Sequence, residues 1–311
     1  MDFNVLHRVK TVVSLWGKKV DRVHAEEHVQ GSPERCRFRI VVSTGSARFL
    51  LEELDPANVA RKETVARVLE GLSLKGLAVS PPLRGRDNEF IQNCQGRPWQ
   101  LSFFVEGIRL HQDSYWQDAW RGRVLARFLF ELQQAGGNLG QGCPPFDLPG
   151  YIRRIERDTR THHPEVCSRL GPVFRLLGER LPPALERMPL AFCHGDPHPL
   201  NVIWGQKGIR AVIDWEFCGP KPVLYDPALV IGCVGTETPE ARTGPFVTAF
   251  LGTLREVGLL TPDLEEMLPL FVLAQRIPWL AEWLRRNDRD MIAFELFYFD
   301  LLLREYCPTG L

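Results

Sequence analysis

The 311-residue sequence has no C-x-x-C pair among its eight cysteines (36, 94, 143, 167, 193, 218, 233 and 307). That removes the zinc ribbon and the thioredoxin-like motif. The cysteines are scattered and sit mostly beside apolar residues, as reduced, partly buried thiols do. Neither sign of charge predominates, because 38 Lys plus Arg balance 38 Asp plus Glu. The basic footprint of a nucleic-acid binder is therefore missing, and there is no acidic tail. No stretch approaches the roughly 18 apolar residues that span a bilayer. Residues 1–19 lack an uninterrupted apolar run and do not read as a signal peptide. The expectation is a cytoplasmic protein with no nucleic-acid or membrane partner. Internal repeats and low-complexity tracts are absent, and nothing marks an oligomeric state.

What is present suits a soluble enzyme, with 44% hydrophobic residues to build a core. At about 150 residues per domain the length allows two domains. The first hundred residues read mainly as strands. A mixed run at 20–29, an alternating run at 36–43 before Gly45, and a run at 47–54 make an antiparallel meander. Asp55-Pro56 starts a helix whose Val65, Val68, Leu69 and Leu72 share one face. Strands at 89–94 and 99–105 flank a turn at Gln95-Gly96. Beyond Glu106-Gly107 the pattern is helical. Ser114-Tyr-Trp-Gln117 reads as a capping box, and Leu125, Phe128, Leu129 and Leu132 form an apolar stripe that stops at Gly136-Gly137. Residues 138–150 read as a loop. Helix resumes over 151–188, with interruptions near Gly171 and Pro182-Pro183. It returns over 261–306, with breaks or kinks at Pro269 and Pro278. Strands first and helices after is the α+β class.

The chemistry is concentrated in residues 192–226. Val202-Ile203-Trp204 and residues 209–213 are short apolar strands around a turn at Gly205-Gln-Lys-Gly208, a β-hairpin. Asn201 precedes its first strand and Asp214 follows its second, so the hairpin brings them together. Asp196 lies on the preceding loop. A carboxylate to accept a hydroxyl proton, with a carboxamide and a carboxylate to share a hard cation, are the parts phosphoryl transfer needs.

The string H-G-D-P-H-P-L-N at 194–201 has the H-x-D-x4-N spacing of a kinase catalytic loop. Followed by Asp214-Trp215-Glu216, it resembles the aminoglycoside phosphotransferase and choline kinase superfamily. Tyr225-Asp226-Pro-Ala and the segment LSFFVEG at 101–107 are similar to the family's D-x-A segment and interlobe hinge. The resemblance covers roughly residues 20–300 and implies a two-lobed, protein-kinase-like fold. Its N-terminal lobe, residues 1–105, would hold an antiparallel sheet with one main helix, and its hinge would lie near 101–107. A larger helical lobe, residues 106–311, would carry catalysis and substrate. The implied activity is transfer of the γ-phosphate of ATP or GTP, with Mg²⁺, to the hydroxyl of a small molecule. Asp196 would be the base, Asn201 and Asp214 the metal ligands, and His194 a residue that stabilises the loop. Backbone groups around Ser102, Phe103, Phe104 and Val105 would meet the adenine.

One position departs from the family pattern. The third strand of the family carries a Lys or Arg for the α- and β-phosphates, and alignment of Phe49-Leu50-Leu51 places Glu52 there. Arg48 shares its face and is an alternative phosphate contact, and Glu52 is a candidate for a second cation. This departure leaves a second reading open, a pseudokinase-like module that binds a nucleotide or partner without transfer. Glu63 is the nearest helix partner for the missing lysine, with a solvated surface role as the alternative. The Gly31-Ser32 turn is either the phosphate-covering loop or an ordinary hairpin turn. Pro197 and Pro199 oppose a helix that would let His194 and His198 share a metal. Asp226-Pro227 reads as a helix cap. Trp279 and Trp283, with Phe294, Phe297 and Tyr298, read as core rather than a cage for a cation. The acidic residues 282, 288, 290 and 295, mixed with Arg285, Arg286 and Arg289, read as a solvated face. No D-F-G and no A-P-E segment is present, which sets a protein kinase aside.

Overall fold

The computed structural model describes residues 3–31, 36–140, 142–143 and 146–306. The chain runs through helix α1 (Phe3–Val13), strands β1 (Arg22–His24), β2 (Phe38–Thr44) and β3 (Ala47–Glu53), helix α2 (Val59–Leu74), and strands β4 (Gln92–Cys94) and β5 (Arg97–Phe103). Helices α3 (Ala119–Gly136), α4 (Leu148–His162), α5 (Pro164–Arg169) and α6 (Gly171–Glu186) come next. Strands β6 (Leu190–Cys193), β7 (Val202–Trp204), β8 (Ile209–Val212) and β9 (Gly219–Pro222) are followed by helices α7 (Tyr225–Val234), α8 (Pro245–Glu256), α9 (Pro262–Arg286) and α10 (Arg289–Tyr306). Two compact units result. The first holds Met1–Leu110, Asn138–Cys143 and Pro199–Cys218, and the second holds His111–Gly137, Pro144–His198 and Gly219–Leu311.

The first unit is built on an antiparallel sheet in the order β1-β2-β3-β5-β4. Strand alternation gives it two distinct faces. Ile40, Val42, Phe49, Leu51, Trp99 and Leu101 point to one face and pack on Val9, Val12, Val13 and Trp16. Those four residues lie at i, i+3, i+4 and i+7, so α1 exists because the sheet needs a cover. The reading of the first hundred residues as mainly strands did not place this helix, whose apolar stripe is broken up by His7, Arg8, Lys10 and Thr11. The other face carries Arg39 and Val41 from β2, Arg48, Leu50 and Glu52 from β3, and Gln100 and Ser102 from β5. Asp55 caps the turn leading into α2, accepting from the Ala57 N–H at 2.9 Å. The β4–β5 turn puts both Gln95 and Gly96 at positive φ, 55° and 75°, the tight hairpin geometry that favours glycine.

In the second unit α3 packs on α8, where Gly122 lets the Phe246 carbonyl approach too closely for any side chain. Gly136 of the same helix lies against the Phe192 ring of β6. The expected capping box at Ser114 is not used. Ser114 makes no side-chain cap bond, residues 115–117 form a 3-10 turn, and α3 begins at Ala119. The interruption expected near Pro182-Pro183, and a break at Pro269 or Pro278, do not occur. Pro182 and Pro183 lie inside α6, and Pro269 and Pro278 lie inside α9. Burial of Leu268, Phe271, Val272, Ile277 and Leu280 along α9 outweighs the backbone bonds that the prolines remove. The break falls instead at Asn287, with φ 55°. The described cysteines are all free thiols, with Cys143, Cys193 and Cys218 buried, and Cys307 lies outside the described residues. Among the described residues no helix is long and apolar enough to cross a membrane.

Candidate active site

Strands β7 and β8 pair antiparallel, Val202 opposite Val212 and Ile203 opposite Ala211. The ladder is extended by the Ile213 N–H donating to the Asn201 carbonyl at 2.9 Å. The hairpin therefore sets Asn201 and Asp214 at the same end, as their positions in sequence predict. Val212 also bridges to Val79, and Trp204 to Ile108. The Trp204 indole donates to the Pro199 carbonyl at 3.0 Å, so the turn carrying Asn201 is pinned by a buried ring. Asp214 is left-handed, φ 67° and ψ 53°, an uncommon conformation for a non-glycine residue and one that occurs where a site needs it.

Gly31 faces Asp214. A Cβ on Gly31 would lie 3.3 Å from a carboxylate oxygen, and its φ of +97° suits glycine alone. Arg39 holds this loop through the carbonyls of Val29 (2.9 Å) and Gly31 (3.2 Å). Gln30 ties it to the carbonyls of Leu200 (2.5 Å) and Val202 (3.1 Å). Ser32, the other half of the expected phosphate-covering turn, lies outside the described residues.

The loop 194–198 belongs to the second unit. His194 is buried, and its Nδ1 accepts from the Asp196 N–H at 3.1 Å, which puts the ring proton on Nε2. The Asp226 carboxylate accepts from the N–H groups of His194 (2.7 Å) and Gly195 (2.9 Å). Asp226 thus ties the catalytic-loop backbone to the first turn of α7. It does not cap its own helix, as the Asp-Pro dipeptide suggests, and Leu224 at the cap makes no side-chain bond. Burial pushes the Asp226 carboxyl up to about 6, against the two N–H donors and Lys221. Next to this loop, His198 Nε2 stands 3.8 Å from an Asp196 oxygen.

These residues suit a magnesium-type cation by their chemistry: Asn201 and Asp214 offer oxygens, and Gly31 puts no side chain against the Asp214 carboxylate. Magnesium commonly takes one or two protein oxygens and completes its shell with phosphate and water. Among the described residues no group of three or more His, Cys, Asp or Glu could hold a metal ion.

Residues 35–270 match the phosphotransferase enzyme family, APH. The chain belongs to this family. It is 26% identical over 162 residues to a homoserine kinase of Gluconacetobacter diazotrophicus, a match covering 51% of this chain and 50% of that protein. It is 25% identical over 232 residues to a homoserine kinase of Granulibacter bethesdensis, covering 68% of each. The match thus spans half the length of the first curated relative and about two thirds of the second. Among solved structures, the microcompartment-associated aminopropanol kinase superposes with a TM-score of 0.72 at 18% identity, covering 98% of this chain and 99% of that one. The GDP complex of aminoglycoside 2'-phosphotransferase-IIIa gives a TM-score of 0.65 at 17% identity, covering 99% and 100%. At these identities the likeness shows the fold, the kinase-like α+β fold expected from the sequence.

The family pattern directs attention to Glu52. Gln100, opposite it on β5, donates to Glu52 at 2.7 Å, and Arg39 stands opposite on β2. From α2, Lys62 donates to Glu216 of the D-W-E motif. Burial opposes the Lys62 charge, but Glu216, then Glu52 and Asp214, hold the ammonium above its ordinary range. The neighbouring Arg61 donates to the carbonyls of Glu216 (2.9 and 2.7 Å) and Cys218 (2.7 Å), fastening α2 to the segment after Asp214. Beside them the Cys36 thiol is pushed up to about 11 by burial and then by Glu52. Sequence reasoning missed Lys62 because its partner lies 154 positions away. It singled out the adjacent Glu63, which makes only an exposed i,i+4 pair with Arg67 at 3.6 Å.

Arg48 is paired with Glu27 and Glu106 and lies 4.7 Å over the Phe104 ring. In the expected adenine segment, Ser102 is buried in β5, and the exposed Phe103 accepts from the Ser80 hydroxyl through its carbonyl at 3.0 Å. The Phe104 N–H donates to the Arg48 carbonyl at 3.0 Å. Val105 follows beyond the end of the strand.

Of the aromatic residues expected in the core, Tyr298 is buried, Phe297 is exposed, and Trp279 and Trp283 of α9 are half-buried. Trp279 and Trp283 are 6.0 Å apart, and Trp279 stands edge-on to His198 at 6.0 Å. Glu282 is gripped by Arg285 and Arg286, as a solvated face predicts. Glu295 departs from that expectation. It is fully buried and paired with Arg276, and the Trp283 indole donates to it at 3.3 Å.

Proposed function

We propose that this chain transfers the γ-phosphoryl group of a nucleoside triphosphate to the hydroxyl of a small molecule. Asp196 would take the hydroxyl proton as the acceptor oxygen forms its bond to phosphorus and the bond to the β-phosphate oxygen breaks. The observation that carries this reading is the fixed loop of a phosphotransferase-family chain: Asp226 and His194 hold the backbone on which Asp196 is mounted. Asn201 and Asp214 would hold a magnesium ion, which when bound neutralises phosphate charge. Val105 would offer its backbone to the base of the nucleotide, because the Phe104 N–H and the Phe103 carbonyl already have partners. A nucleotide donor is supported by the fold neighbour described as a GDP complex.

The relatives named homoserine kinase and the neighbour named aminopropanol kinase make amino alcohols the first acceptors to try. The half-buried Trp279–Trp283 pair, adjoining His198, supports a site for such a molecule. The test is a metabolite screen for ADP or GDP release, headed by homoserine and amino alcohols, with Asp214→Ala as the control. Release by the wild type alone on a hydroxyl acceptor supports the proposal. Equal release by both proteins refutes the metal assignment. Glu52 favours a second reading, a nucleotide-binding module without transfer; a thermal shift with Mg-ATP but no product on any acceptor would favour that module.

A further inference from the structure

The family resemblance puts a cation on the third strand and leaves its partner to the helix that follows. Here the charges are exchanged: Glu52 stands on β3 and Lys62 on α2. Only 13% of the Lys62 side chain is exposed, and it is bonded to Glu216, two residues beyond Asp214. Glu52, Asp214 and Glu216 all act on this one ammonium. Arg39 is occupied by the carbonyls of the 29–31 loop, Arg61 by those of Glu216 and Cys218, and Arg48 by Glu27 and Glu106. Among the described residues, Lys62 is thus a cation bonded to a carboxylate of the D-W-E motif and held in the field of Glu52 and Asp214. Three carboxylates repel a polyphosphate unless a cation stands among them. An ammonium is a point charge with three rotatable donors, so it can keep one carboxylate and still meet a phosphate oxygen.

We propose that Lys62 is the phosphate-binding cation of this chain, supplying from α2 the charge that the family resemblance assigns to β3. The inference rests on the phosphotransferase reading above. Glu216 orients the ammonium, Glu52 adds to the field that keeps it charged, and Arg61 keeps α2 against the D-W-E segment so that the ammonium stays in place.

The test is titration calorimetry of the full chain with ATP, in EDTA and in Mg²⁺, with adenosine as the phosphate-free probe. Lys62→Met should weaken ATP by about 30-fold in both conditions, the size of a lost charge-assisted hydrogen bond, and leave adenosine unchanged. Lys62→Arg should stay within about three-fold, since it keeps the charge. Lys62→Met leaves the half-buried Glu216 without its ammonium and can fail to fold. The double variant Lys62→Met/Glu216→Gln removes both charges and should show the same 30-fold loss. ATP affinity at the wild-type level in that double variant would overturn the proposal and leave Lys62 as a neutraliser of Glu216. A wild type that binds no nucleotide overturns the phosphotransferase reading itself, and this inference with it. Wild-type ATP binding with an unaffected double variant overturns only the inference.

Discussion

Asp226 shows how one buried side chain can set the working geometry of a loop three elements away in sequence. Its carboxylate takes two N–H groups from residues 194 and 195, and a neutral amide has only one oxygen with which to replace them. Asp226→Asn should lower kcat about 10-fold and leave nucleotide affinity within two-fold, measured by steady-state kinetics and calorimetry. The same residue makes a pH prediction. Its pKa is raised from 3.8 to about 6, so between those values the folded chain holds a proton that the unfolded chain releases. The Asp226 contribution to stability therefore falls as pH rises through that window, by at most about 1.4 kcal/mol per pH unit. Urea unfolding from pH 4 to 7 should show this fall in the wild type and lose it in Asp226→Asn. Glu52 gives a second case. Glu52→Lys would restore the family's strand residue, yet it would put a second ammonium in the field of Lys62 in place of a carboxylate that Gln100 bonds and that favours the Lys62 charge. It should destabilise by about 2 kcal/mol, lower Tm by about 5 °C and fail to improve ATP binding, read by thermal melts and titration.

Among elements, the hairpin was the most legible. Two short, mainly apolar runs around Gly205 and Gly208 sufficed to place Asn201 beside Asp214, because a hairpin is a local object whose register follows from its turn. The β2–β3 meander, the cap at Asp55 and the stripe of α3 were legible for the same reason. What was not legible depends on distant partners. Helix α1 is specified by the sheet face it covers, α9 runs through Pro269 and Pro278 because of what it packs on, and Lys62 makes sense only next to Glu216. Asp226-Pro227 misled because a local rule, helix capping, accounts for the dipeptide without its long-range role. The buried pair of α9 and α10, Arg276 with Glu295, is another such contact. Glu295→Ala should destabilise by about 4 kcal/mol by leaving a buried guanidinium without its carboxylate. The paired change Arg276→Met/Glu295→Leu should recover most of that loss, measured by chemical denaturation.

For the whole molecule, the family match and the fold support one activity, while the acceptor depends on pocket detail that fold does not specify. Ligand linkage gives a simple check: Mg-ATP at about 100 times its Kd should stabilise the native chain by about 2.7 kcal/mol, visible as a rise in Tm. The central claim is that Asp196 is the base of a phosphoryl transfer. Its most direct test is a single-turnover assay with γ-labelled nucleotide and an acceptor found by the screen, comparing wild type with Asp196→Asn. The account predicts that label passes to the acceptor about 10³-fold more slowly in the variant, with nucleotide affinity unchanged. Transfer at the wild-type rate by Asp196→Asn would contradict it.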